Sequence, residues 1–194
     1  MTGADMLKAL DVNSDVSAGV LASIGKLSDG ARVHLDPAIN VRAFLDTLRR
    51  EGLFADAVSV LTHVLPRQYA LAWGCECWLD GHAGTEPDPS DKSALAAAQR
   101  WLKEPTEEHR RAAFELADRL GYRTAAAWLA AAAGWAGGSI LPPGQLEIPP
   151  PPGLSGEAVS AAVILTAAEG PGAFPDRISA FIDRALAAFA PAST

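Results

Sequence analysis

Residues 67–78, RQYALAWGCECW, cannot sit on a protein surface as a helix without exposing a tryptophan. Helical periodicity puts Leu71, Cys75 and Trp78 on one side and Tyr69, Trp73 and Cys77 well away from it. So wide an apolar arc needs packing partners on two sides, and the stretch reads as a buried central helix. Alanine, about a fifth of the chain and concentrated after Ser93, suits helices in close contact: nothing beyond its Cβ holds them apart, and its helix propensity is the highest. The expected fold is all-α, a compact multi-helix array of antiparallel helix hairpins, with solenoid-like stacking as one form of it.

From residue 41 the pattern is regular. Val41, Phe44, Leu45 and Leu48 follow the i, i+3, i+4, i+7 spacing of one helical face and stop at Gly52. A second helix starts near Phe54 and carries Ala57, Val58, Leu61, Val64 and Leu65, and Pro66 suits the first turn of the next. These two helices should form a tight antiparallel hairpin. Ser90, with Asp91 as a first-turn acid, is expected to cap a helix that buries Leu95, Ala98, Trp101 and Leu102. Thr106 opens and Gly121 closes the next helix, with Ala112, Ala113, Leu116, Ala117 and Leu120 as the buried stripe. Glu107, Arg111, Glu115 and Arg119 then form a solvent-exposed ladder of alternating charge. Further helices are expected from Thr124 to about Ala136, from a Ser155 cap to Gly170, and from Pro175 to Phe189. Residues 1–36 hold short apolar clusters broken by Gly19, Gly25 and Gly30, which predict short helices or turns.

Residues 137–154 cannot continue a helix, because six prolines between Gly137 and Gly153 remove backbone donors and favour polyproline II geometry. The expectation is a long Pro-rich strap anchored by Ile140, Leu141, Leu146, Ile148 and Leu154, inside one helical domain spanning 1–194. The competing reading takes the run 148–152 as a ligand for a proline-reading domain; the run lacks the flanking Arg or Lys common in such ligands.

Several functions are disfavoured. The formal net charge is −7 and no segment is basic, whereas nucleic-acid binding draws on clustered Lys and Arg. The longest apolar stretch, 125–136, spans 12 residues and contains Gly134, well short of the ~20 needed to cross a bilayer. No membrane insertion and no nucleic-acid partner are therefore expected. The N-terminus has no apolar core of signal-peptide length, and Cys75 and Cys77 are too few for a disulfide framework and point apart on a helix. A reducing cytoplasm with free thiols is the expected location.

No reaction is legible. Asp56, Ser59 and His63 share one helical face, but the middle of a regular helix offers neither a sharp turn for a nucleophile nor free N–H groups for an oxyanion, so they read as polar surface. Cys75 and Cys77 have no second Cys pair to complete a zinc site, and His34, His63, His82 and His109 are scattered. No catalytic residue, metal ligand or cofactor is expected, and the chain is expected not to be an enzyme. The five tryptophans occupy positions compatible with burial, with the alternative that one or two line a groove for a partner's helix or peptide. The candidate partner-binding residues are Trp73, Trp78, Trp128, Trp135, Ile148 and Pro150.

A set of motifs adds to this. Leu65-Pro66-Arg67 leading into the aromatic helix, Arg100-Trp101, Arg110-Arg111-Ala112-Ala113, and Gly137-Gly138-Ser139 before Pro142-Pro143 together resemble an uncharacterised bacterial helical family sometimes encoded near type VI secretion genes. The resemblance runs from about Val41 to Ala168. It implies a bacterial cytoplasmic protein with an accessory role in secretion, and it carries over no catalytic residue. The expected function is thus a non-enzymatic adaptor or accessory protein that binds another protein, a secretion component or its cargo. Two alternatives stand beside it. One is a small-molecule binder or enzyme using a pocket between the aromatic helix and the strap, marked by a buried Glu76; the other is a structural oligomerisation subunit. The sequence leaves the oligomeric state open.

Overall fold

The computed structural model describes residues 27–36, 39–142 and 144–188, and the apolar clusters before residue 27 and the terminal Phe189 lie outside them. Among the described residues there are nine helices and no strand, so the chain is all-α. The contacts gather it into two compact units, 1–65 with 173–194, and 66–172.

The first unit holds α1 (Asp29–Arg32), α2 (Val41–Arg50), α3 (Phe54–Val64) and α9 (Phe174–Ala188). Asn40 caps α2 by accepting from the Ala43 N–H at 2.8 Å, and the expected stripe of Val41, Phe44, Leu45 and Leu48 is buried. Helix α3 packs against both α2 and α9. Asp56 departs from its polar-surface reading: it is buried, and its two carboxylate oxygens accept from the Ser28 N–H at 2.8 Å and the Ser28 hydroxyl at 2.9 Å. The same hydroxyl caps α1 by accepting from the Ala31 N–H, so Asp56 fixes the start of α1 against α3.

The second unit holds α4 (Arg67–Gly81), α5 (Pro89–Lys103), α6 (Glu107–Leu120), α7 (Ala125–Gly134) and α8 (Leu154–Glu169). Trp73, Trp78, Cys75 and Cys77 on α4 are buried, as the wide apolar arc required. The centre of the unit, however, is α7, which packs against α4, α5, α6 and α8. Nine of its ten residues are buried; only Trp128 reaches outward. Because α8 returns to pack on α4 as well as on α7, this unit closes around a helix instead of stacking hairpins in a row.

That closure needs small residues. A Cβ built on Gly134 would lie 2.6 Å from Phe114 Cβ and 2.7 Å from Phe114 Cα, so α6 and α7 touch backbone to backbone there. A Cβ on Gly74 would meet Leu129 at 2.8 Å and Val159 at 3.0 Å, which lets α4 close on α7 and α8.

Two helix starts differ from expectation. Helix α5 begins with Pro89 in its first turn, and its cap is Asp88, which accepts from the Ser90 N–H at 2.7 Å. Helix α8 begins after Gly153, and Ser155 is an internal, buried residue whose hydroxyl donates to the Ala132 carbonyl of α7 at 2.7 Å. Thr106 and Thr124 cap α6 and α7 as expected, and the Thr124 hydroxyl also donates to Asp91 at 2.6 Å, tying the start of α7 to the first turn of α5.

Candidate functional site

The Gly134 carbonyl at the C-terminal end of α7 has no further helical turn to satisfy it, and three arginines take up this carbonyl and three of the chain that follows. Arg110 Nη1 donates to the Gly134 carbonyl and Arg110 Nη2 to the Ser139 carbonyl at 3.1 Å; Arg111 Nη2 donates to the Leu141 carbonyl, and Arg67 to the Ala136 carbonyl. Cations at this end also meet the negative pole of the helix. Glu107 holds the pair from the other side, accepting from Arg110 through both carboxylate oxygens at 2.6 Å and from Arg111 Nε at 3.2 Å. The Arg110 hydrogen bond holds the Glu107 carboxyl below its ordinary 4.5, against the opposing effect of its slight burial.

Arg110 is 3% exposed, buried on the α6 stripe beside Ala113 and Ala117. Arg111 is not the free rung of a surface ladder, since its side chain is only 16% exposed and reaches into the following loop. Ala112 is exposed, not part of the buried stripe. Gly138 adopts a φ of +62°, and a Cβ there would come within 2.9 Å of the Arg110 guanidinium, so glycine both makes the turn and lets the arginine pass.

These bonds pin the neck of the loop after α7. Ser139 Oγ accepts from the Leu141 N–H at 3.0 Å and the Ile148 N–H at 3.1 Å, and the Ile140 N–H donates to the Ile148 carbonyl at 2.8 Å. Beyond the neck the side chains turn out. Leu146 is 79% exposed and Ile148 41% exposed, so neither anchors a strap, while Ile140, Leu141 and Leu154 are half-buried. Pro149, Pro151 and Pro152 are exposed and Pro150 is half-buried.

A second feature of this unit joins two of the candidate tryptophans. Trp128 and Trp135 lie at opposite ends of α7 with ring centroids 6.2 Å apart, and Tyr122 stands 5.6 Å from each. All three are half-buried. Tyr122 follows the left-handed Gly121 and is itself left-handed, with a φ of +55°, a conformation that costs a residue with a Cβ about 1 to 2 kcal/mol. Its N–H donates to the Ala117 carbonyl and that of Gly121 to Asp118, a Schellman closure of α6 that swings the ring onto α7. Burial, then the charge of Asp118, pushes the Tyr122 hydroxyl above its ordinary 10.0.

The remaining candidates stay apart. Trp73 and Trp78 are buried, and Trp78 stacks on His82 with centroids 4.1 Å apart. His63 Nδ1 pairs with the Ser59 carbonyl at 2.8 Å and Asp56 is engaged by Ser28, so these three residues form no relay. Burial, with the neighbouring Glu76 charge, pushes the Cys75 thiol up to about 12, which leaves it un-ionised and inert at neutral pH. Glu76 is exposed and does not mark a pocket under the loop. Among the described residues, no group of three or more His, Cys, Asp or Glu side chains is placed to hold a metal ion, and no helix is long and apolar enough to cross a membrane. An open groove of about 430 Å³ in the first unit is lined by Asp46, Arg49, Arg50 and Ser179, with Arg49 already paired to Asp183 at 2.8 Å.

Sequence reasoning missed Arg110 and Tyr122. Both left signals: a long cation in register with Ala113 and Ala117 and three residues after a glutamate, and an aromatic placed directly after a helix-ending glycine, where a hydrophobic contact back to the fold is usual.

Residues 44–189 match DUF6931, a family of unknown function, and the chain belongs to that family. The match covers most of the resemblance noted from residue 41 onward and continues past Ala168 through α9. Searches of curated proteins and of solved structures gave no match.

Proposed function

We propose that this member of the DUF6931 family is a non-enzymatic adaptor, and that the loop 144–152 is the surface it offers to another protein. The observation that supports the reading is the contrast within a few residues of chain. Arg110, Arg111 and Ser139 hold the loop's neck, yet Leu146 is left 79% exposed at its far side. A leucine and an isoleucine fully buried by a partner contribute about 1.5 to 3 kcal/mol each. A held loop also loses little further backbone entropy on binding. The partner in this reading is a bacterial secretion component or its cargo, in the cytoplasm; the gene neighbourhood implied by the motif set points toward type VI secretion.

The test compares wild type with a Leu146→Ser, Ile148→Ser double variant as baits in the native host. A partner recovered by wild type and reduced about tenfold or more by the variant, at unchanged melting temperature, supports the assignment. The same proteins recovered equally by both would end it.

A further inference from the structure

We infer that the run 148–152 is a polyproline ligand, and that the partner receives it in a groove of aromatic side chains with a cation beside it. The inference rests on the adaptor reading of this loop and names the kind of partner the loop takes. Ile148, Pro149, Pro150 and Pro151 each precede a proline, which holds their ψ in the extended range, and the proline rings set φ at about −65°. With no cis peptide bond among the described residues, only polyproline II is left for 149–151. Both ends of the run are tied to the domain. At one end the Ile148 N–H donates to Ser139 Oγ at 3.1 Å and the Ile148 carbonyl accepts from the Ile140 N–H at 2.8 Å. At the other the Pro151 carbonyl accepts from the Leu154 N–H at 3.2 Å, across a type II turn in which Gly153 has a φ of +85°. A segment that is stiff in itself and fixed at both ends leaves a partner little to order.

Exposure follows the edges of that helix. Polyproline II turns once in about three residues, so Ile148 and Pro151 share one edge, Pro149 and Pro152 a second, and Pro150 stands on the third. Ile148, Pro149, Pro151 and Pro152 are exposed, and Pro150 alone of the five is half-buried. The edge turned toward the domain is thus the middle position of a P-x-x-P pattern, and both prolines of the pattern, Pro149 and Pro152, face solvent. Aromatic-lined grooves read that spacing. The Pro149 and Pro150 carbonyls accept no backbone bond from the described residues, and remain for the donors that tryptophan and tyrosine carry at their ring edges. Charge sets the flank of the groove. Where such ligands commonly carry Arg or Lys, this one carries exposed Glu147, so the complementary groove has a Lys or Arg at its end.

Isothermal titration calorimetry tests this, with the purified full chain and a purified WW domain that reads polyproline through an aromatic groove with an arginine beside it. Wild type should bind saturably. Pro149→Ala and Pro152→Ala should each weaken binding about tenfold, and Pro150→Ala less than about twofold. Pro149→Ala and Pro150→Ala remove the same backbone restraint, so the difference between them reads which ring enters the groove and not how stiff the run is. Glu147→Arg should weaken binding too, and replacing the domain's flanking arginine by glutamate should restore it. No binding up to millimolar domain, or equal losses from Pro149→Ala and Pro150→Ala, overturns the inference. The bait experiment separates it from the adaptor reading. A host partner lost with Leu146→Ser, Ile148→Ser but kept by Pro149→Ala leaves the adaptor standing and sinks the polyproline ligand. A WW domain bound in the expected pattern, with no loop-dependent partner in the host, removes the adaptor reading alone.

Discussion

In the unit formed by 1–65 and 173–194 the core is made of side chains that reach: Phe44, Leu45, Leu48, Leu61, Ile178 and Ile182 are all fully buried. In the 66–172 unit the central helix α7 buries nothing longer than Leu129, and seven of its ten residues are alanine. The first unit fills the space between helices with large side chains, whereas the second removes the space by bringing backbones together. The two cores should therefore fail under opposite changes. Long side chains fail by truncation, which leaves a cavity; alanine and glycine contacts fail by addition, because the neighbouring backbone has nowhere to go.

The largest expected effect is Phe44→Ala, which should cost about 3 to 5 kcal/mol in urea denaturation. A loss under about 1 kcal/mol would mean that this core collapses to fill the gap, and the contrast would break. Next comes Gly134→Ala, a single added methyl that should cost about 2 to 3 kcal/mol, because the nearest atoms are Phe114 Cβ and the backbone Cα and N behind it, none of which can swing away. A neutral result would show that α6 and α7 can separate freely. Arg110→Met keeps the volume but leaves the Gly134 and Ser139 carbonyls without their donor, and should cost about 2 kcal/mol. If the loop rather than the core depends on Arg110, proteolysis near Gln145 should quicken in this variant more than in Gly134→Ala.

The smallest effect concerns pH. The Glu107 carboxyl is depressed from 4.5 chiefly by its hydrogen bond from Arg110. A depressed acid contributes stability that is present above its unfolded value and is lost as pH falls through the folded one. Melting temperature should accordingly drop below about pH 4.5, and Glu107→Gln should flatten part of that drop. The part is small, since the Glu107 side chain is 59% exposed and solvent screens it. An unchanged acid limb in the variant would remove Glu107 from the clamp.

Helix positions were legible where one face differed from the other. Val41, Phe44, Leu45 and Leu48 alternate with polar residues, so both the helix and its buried side can be read in α2. Helix α7 offers no such contrast: it is apolar on every side, and a uniform helix says that it is buried without saying by how many neighbours. The aromatic stretch of α4 looked central for the same reason, and its burial was right while its rank was not. Ser155 shows the limit of local rules. It sits where a capping serine belongs, but its hydroxyl is taken by the Ala132 carbonyl of another helix. Arg111 shows it again, because the i, i+4 spacing with Glu107 and Glu115 fits a solvent ladder equally well until a loop carbonyl lies within reach. Of the candidate binding residues, Trp128 and Trp135 stand seven residues apart and touch each other directly, while the ring that joins them, Tyr122, lies outside any helix and carries no periodic signal.

By itself the sequence determined the all-α class, the Thr106 cap, the helix stops and the break after α7, because each depends on a few adjacent residues: a hydroxyl three positions from an N–H, a glycine that can turn left-handed, prolines that cannot donate. Only the tertiary structure decided that an alanine helix is the centre of its unit, that Arg110 is buried, and that the loop's neck is held while Leu146 faces solvent. Those outcomes depend on how closely two backbones approach and on which carbonyls are left over at a helix end, and neither quantity exists until distant parts of the chain have met.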